Sequence, residues 1–251
     1  MHLHWPGALM RRIRCHVDAE LVPAQVLVLP EQTRNHLARV LRLREGDGVD
    51  LFNGDGHDYP ARLVGSGRQL AVEILGREPP AAAEPGLQVT VLQGLARGEK
   101  MDWIIQKATE IGVSRIVPVS CQRSTVRLDA DRAGKRLDHW RRVAISACEQ
   151  CGRARIPVIE PPRPLAEAAA TVAGLRLVLD PQSTTGPQAL VAELNGAVTL
   201  AIGPEGGFDE REMALLAGQG WRGLRLGARI LRTETAAVVA VSALFALSGE
   251  L

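Results

Sequence analysis

Apolar and polar positions follow two rhythms along the chain, and the change falls near residue 80. Before it the period is mostly two. Residues 21–29 contain the run VLVL, and residues 46–52 (GDGVDLF) and 69–75 (QLAVEIL) alternate as strands do. Asn53-Gly54-Asp55-Gly56 supplies turn chemistry between strands. One helix is predicted over 33–43, with Leu37, Val40 and Leu41 inward. These elements predict a small barrel-like β domain with one helix, over residues 1–78. The stretch PPAAAEPG (79–86) has no period and reads as a linker.

From residue 87 to 251, strand and helix signals alternate. Strands are predicted over 87–92, 115–119, 156–159, 175–179, 198–202 and 224–226. Helices are predicted over 100–111, 132–151, 164–172, 209–217 and 233–247. Met101, Ile104, Ile105 and Ala108 share one face of the first helix. Asp209 and Glu212 have the spacing of a capping box, and Thr233 is the expected cap of the last helix. That last helix is apolar nearly all round, which predicts burial in the core or at an interface. The alternation predicts an α/β domain with a parallel sheet covered by helices.

Composition narrows the picture. The chain has 251 residues, 46% of them hydrophobic, and can bury a core without staples. Aromatics are only 3%, so Leu, Val, Ile and Ala must carry the packing. Of the 30 basic residues, only Lys100, Lys107 and Lys135 are lysines. A net charge of +2 does not by itself announce nucleic acid. Its distribution is more telling: residues 121–155 carry nine basic and four acidic residues. Arg222, Arg225, Arg229 and Arg232 follow with no acid among 222–232. Such local charge fits a binding face. Cys148 and Cys151 form a CxxC on a helical pattern with no second pair, so no metal site is expected. No apolar run approaches the ~20 residues of a membrane span, and the first ten residues lack the apolar core of a signal peptide. A cytoplasmic protein is expected.

Two segments carry the candidate chemistry. LAIGPEGGF (200–208) and LGARILRTETA (226–236) each run from a strand end through glycine into a helix start. Parallel sheets place ligands at such ends, glycine admits close backbone approach, and helix starts offer free N–H groups. Neither segment is a dinucleotide or phosphate-loop fingerprint, which disfavours a Rossmann oxidoreductase. Glu205 would repel phosphate. An adenosine moiety, or a ligand with a cationic centre, suits the loop better.

These segments, with GEKMDWIIQKATEIGV (98–113), ACEQCGR (147–153) and HLARVLRLREGDGVDLFNGDG (36–56), resemble the signatures of the RsmE family of 16S ribosomal RNA methyltransferases. Members of that family usually begin near MRRIR, so residues 1–9 are read as an extension or a misassigned start. The resemblance implies a PUA-like β-barrel domain followed by a SPOUT α/β domain with a trefoil knot. It implies S-adenosylmethionine as cofactor, held around Leu179, Ile202, Gly203, Pro204, Glu205, Gly206, Gly207, Leu226, Gly227, Ile230, Leu231 and Thr233. It also implies a homodimer acting on N3 of a uridine of 16S ribosomal RNA in the small ribosomal subunit.

Methylation at N3 requires loss of the N3 proton and stabilisation of the anionic base. The catalytic candidates are Arg232 for the anion, Glu205 or Glu234 for the proton, and Arg97 for substrate or phosphate. Glu205 and Glu234 equally suit a loop-bracing role, and Arg232 an ion pair with either. The RNA-binding candidates are Arg11, Arg12, Arg14, Arg34, Arg39, Arg42, Arg123 and Arg127. Two other readings stand beside this one: a knotted methyltransferase of a ribose 2′-hydroxyl in transfer or ribosomal RNA, and a non-catalytic RNA-binding assembly protein.

Overall fold

A computed structural model of the chain describes residues 13–251. Contacts divide it into two units: the described residues up to Ala83 with Cys148–Arg155, and Glu84–Ala147 with Ile156–Leu251.

The first unit contains β1 (Ile13–His16), β2 (Val26–Val28), α1 (Glu31–Asn35), a π turn (His36–Val40), β3 (Gly48–Phe52), β4 (Tyr59–Val64) and β5 (Ala71–Ile74). They form a five-stranded sheet in the order β1-β3-β4-β5-β2. Only β1 and β3 pair in parallel. The expected barrel is thus an open sheet, with β1 and β2 at its edges. Val49, Leu51, Leu63, Val72 and Ile74 point to one core, where alternation places them.

Several expectations shift here. Alternation sends Leu27 and Leu29 of the VLVL run toward the core and leaves Val26 and Val28 exposed. The predicted helix over 33–43 starts at Glu31, changes to a π turn at His36 and ends at Val40. That change of pitch turns Val40 outward, 66% exposed, while Leu37 stays buried. The short segment 148–155 is tied to the same unit: Ala82 N–H donates to Gly152 O (3.0 Å) and His16 N–H to Glu149 Oε1 (3.1 Å).

The second unit runs β6 (Gln88–Gly94), α2 (Lys100–Ile111), β7 (Arg115–Ser120), α3 (Ala130–Cys151, its last turn in the first unit), β8 (Val158–Ile159), β9 (Arg163–Pro164), α4 (Leu165–Ala170), β10 (Leu175–Leu179), β11 (Ala197–Ile202), α5 (Glu210–Gly218), β12 (Arg222–Leu224) and α6 (Thr233–Ser248). The sheet order is β12-β10-β11-β6-β7-β8, with β9 also on β7. Every pair in it is parallel. Separate apolar clusters cover its two faces, as an all-parallel sheet requires.

Local chemistry explains the helices. In α2 the buried residues include Met101, Ile104, Ile105 and Ala108, the expected stripe. In α5 the Asp209 side chain accepts from Glu212 N–H while Glu212 accepts from Asp209 N–H, a complete capping box. Two expectations are corrected. The strand predicted over 224–226 ends at Leu224, which frees 225–232 as a loop. Thr233 is not a cap: Arg232 holds that position, and the Thr233 hydroxyl bonds elsewhere. Helix α6, expected in the core or at an interface, is buried on one side within the chain. Ala237, Ala240, Val241, Leu244 and Phe245 are buried, but Val239 on the opposite side is 40% exposed.

Candidate active site

Strands β10, β11 and β12 end at one edge of the sheet, and the segments that follow enclose a cavity of about 440 Å³. Residues 202–207, 224–227 and 229–233 line it, with Leu179, Asp180, Pro181, Lys100 and Ala236. All twelve residues expected to hold a cofactor are among them. They come together because three consecutive parallel strands in the sheet deliver their loops to one side.

The loop 203–207 is packed as tightly as backbone allows. A Cβ on Gly94 of β6 would lie 2.4 Å from Pro204 N, so only glycine admits the loop there. Gly207 has φ +67 and donates its N–H to Pro204 O (2.9 Å), closing a turn. From outside, the Arg123 guanidinium donates to Gly206 O (3.2 Å).

The four catalytic candidates separate clearly. Glu205 Oε1 accepts from the Arg97 backbone N–H (3.1 Å) and from Lys100 Nζ (2.9 Å). Burial pushes the Glu205 carboxyl up, but these donors outweigh it and hold the group below its ordinary value. These two contacts tie the 203–207 loop to residues 97–100. Glu234 differs. Its Oε2 lies 3.8 Å from Lys100 Nζ and is buried without a hydrogen-bond partner among the described residues. Arg232 is exposed and lines the cavity. Among the described residues Lys100, and not Arg232, pairs with both glutamates. Arg97 lies beyond the end of β6 and is not among the lining residues, and its side chain donates to Thr125 Oγ1.

A family model described as an RNA methyltransferase domain matches residues 83–245. A second, an RNA methyltransferase PUA domain, matches residues 29–75. A ribosomal RNA small subunit methyltransferase E from Mycobacterium bovis is 37% identical over 242 residues, covering 93% of this chain and 91% of its own. The chain belongs to the ribosomal RNA small subunit methyltransferase E (RsmE) family. A namesake from Buchnera aphidicola is 30% identical, covering 95% and 97%. A Legionella pneumophila methyltransferase solved with bound cofactor SAM superposes with a TM-score of 0.89 at 35% identity, covering 94% of this chain and 98% of that one. The RsmE enzyme of Neisseria gonorrhoeae, solved with S-adenosyl methionine, gives 0.87 at 33% with the same coverage.

The arginines expected to meet RNA in this RsmE chain do not share one fate. Arg14 is corrected. Its side chain is 5% exposed, ion-paired to Asp58, stacked on Phe52 at 4.9 Å and bonded to Arg153 O (3.0 Å). It holds the first unit together and has no face for phosphate. Arg39 and Arg42 are exposed, and Arg34 is half-buried. Arg127 is exposed, and Arg123 is exposed while touching the 203–207 loop. Arg11 and Arg12 lie outside the described residues.

Two residues of the site have no role in the sequence reading. Lys100 lies in the quoted segment GEKMDW, but nothing there places its ammonium between Glu205 and Glu234. Gln93 ends an apolar strand pattern as an ordinary polar residue, yet it is fully buried. A polar residue at a buried strand end, before a glycine, is the available signal.

Proposed function

We propose that this chain uses S-adenosylmethionine to methylate N3 of a uridine in 16S ribosomal RNA. The observation that carries the reading is the cavity at the carboxyl edge of the parallel sheet, lined by the twelve residues the family resemblance implies for the cofactor. The cavity fits that group. Its volume is in the range of ligand sites. Leu179, Ile202 and Leu226 offer apolar surface, loop backbone offers hydrogen bonds, and Asp180 and Glu205 offer negative charge to a cationic ligand. The bound cofactor supplies an electrophilic methyl group on a sulfonium.

The chain's own residues prepare the nucleophile. Glu234, with a buried oxygen lacking a donor, accepts the N3 proton. Lys100 Nζ, 3.8 Å away, sets a positive charge beside that carboxylate. Arg232 at the cavity lining stabilises the anionic base through its fork. Arg39, Arg42 and Arg127, all exposed, hold RNA phosphate. We assign RNA binding to the PUA-like unit together with Arg127 of the second, with 79–86 as the linker, and methyl transfer to 87–251.

The finer partners belong to the same reading. Substrate is read as RNA within the small subunit, which makes the cytoplasm the compartment. No helix among the described residues is long and apolar enough to cross a membrane. A second copy of the chain would cover the apolar side of α6 around Val239, consistent with a homodimer. The domain predicted as a trefoil knot is read the same way. Incubation of the full chain with labelled cofactor and unmodified small subunits tests the activity. Label in 16S RNA is expected. Cofactor binding with no label in any ribosomal RNA would contradict it.

A further inference from the structure

Gln93 is fully buried at the end of β6 and does not line the cavity. Its Nε2 donates to Thr233 Oγ1 (3.0 Å) and to Gly94 O (3.1 Å). The Thr233 hydroxyl donates in turn to Gly203 O (2.6 Å). A carbonyl oxygen only accepts, so the hydroxyl proton is committed to Gly203 and the Thr233 oxygen is left to accept. That sequence of donors fixes the amide's orientation. It leaves Gln93 Oε1 buried without a partner among the described residues. An unsatisfied buried acceptor is costly, and an apolar residue of similar size would avoid that cost. The amide is therefore better explained by what its NH₂ holds than by stability.

What it holds is the cavity. Thr233 begins α6 and Gly203 begins the 203–207 loop, and both line the cavity. Gly94, the other acceptor, is where Pro204 packs against the strand. We infer that Gln93 is a positioning residue: from behind the cavity, it locks the start of α6 to the 203–207 loop and so sets cofactor affinity without touching the cofactor. The inference rests on the cofactor reading above. It also makes a claim about the ligand-free loop that does not need that reading.

The distinction between amide and carboxylate is sharp here. Glu at 93 has the same shape but offers only acceptors when ionised. It would compete for the Thr233 proton and release Gly203 O. Met would fill the volume and offer no donor. Thr233→Val removes the hydroxyl, and Thr233→Ser keeps it.

The test is calorimetric titration of the full chain with S-adenosylmethionine, beside hydrogen exchange of the 203–207 amides without ligand. Gln93→Met and Thr233→Val are each expected to weaken binding about tenfold and to speed loop exchange. Thr233→Ser keeps the hydroxyl and should exchange its loop amides at the parent's rate, and the double variant Gln93→Met/Thr233→Val should exchange little faster than either single, because both cut one path. A lowered melting temperature with unchanged affinity and unchanged loop exchange would make Gln93 merely structural and overturn the inference. If Gln93→Met does not fold, the Thr233 pair decides: equal affinity and exchange for Ser and Val overturns it. Failure of the parent chain to bind S-adenosylmethionine would instead sink the cofactor reading, and loop exchange would still decide the role of Gln93.

Discussion

Lys100 Nζ lies 2.9 Å from Glu205 Oε1, and that contact joins the first turn of α2 to the loop after β11. The carboxyl titrates below its ordinary value of 4.5. A carboxylate with a depressed folded-state pKa contributes stability that is present above the unfolded value and lost as pH falls through the folded one. Glu205→Gln should therefore lower the melting temperature at pH 7. The gap between variant and parent should close as pH falls below 4.5. Melting curves across that range check it. A gap that persists unchanged into acid would remove the ion pair from the account.

The two glutamates should part company in turnover. Glu234→Gln removes the proton acceptor, and a general base is worth about 10²–10⁴-fold. A loss of that size in kcat is expected, with cofactor affinity retained. Glu205→Gln, which keeps one acceptor oxygen for the Arg97 N–H, should lose less than about tenfold in kcat. Single-turnover rates with the cofactor saturating separate the two. Equal losses would mean that Glu234 also only braces the site.

Gly94→Ala asks whether the loop packing matters as the geometry says. The added methyl would meet backbone at Pro204, which cannot swing aside as a flexible side chain does. Overpacking of this kind costs about 1–3 kcal/mol. The variant should melt lower and bind S-adenosylmethionine weakly. Denaturant unfolding with parallel calorimetry checks both, and parent-like values would mean the loop relaxes freely.

Arginines of the first unit should divide into structure and binding. Arg14→Met leaves Asp58 buried without its partner and should cost about 3–5 kcal/mol of stability. Arg39→Ala and Arg42→Ala should leave stability within about 0.5 kcal/mol. They should reduce the salt dependence of RNA binding. Filter binding at several salt concentrations, beside unfolding curves, distinguishes the two classes.

Period and local capping made α2 and α5 readable from the sequence, because their apolar stripe and capping box lie within single segments. Much of the cavity's lining was readable for a related reason: it falls in two strand-end segments, while Lys100, Asp180 and Pro181 come from elsewhere. What depended on distant partners was not. Arg14 stands next to other arginines and looks like a phosphate ligand, while its partner Asp58 is 44 residues away. Lys100 and Glu205 are 105 residues apart, and Gln93 and Thr233 are 140 apart. Strand β4 was not predicted, and it carries Pro60, a residue disfavoured in a central strand. It is accommodated at the second residue of the strand, where its carbonyl accepts from Leu75 N–H (2.7 Å). Val40 was misplaced because the change to π pitch has no mark in the apolar pattern.

The central claim is the position of the methyl group. The direct measurement is mass spectrometry of nucleosides from 16S RNA, after unmodified small subunits have reacted with the full chain and labelled S-adenosylmethionine. Label in 3-methyluridine is the predicted result. Label in a ribose-methylated nucleoside would keep the cavity and its cofactor but contradict the roles given to Glu234 and Arg232.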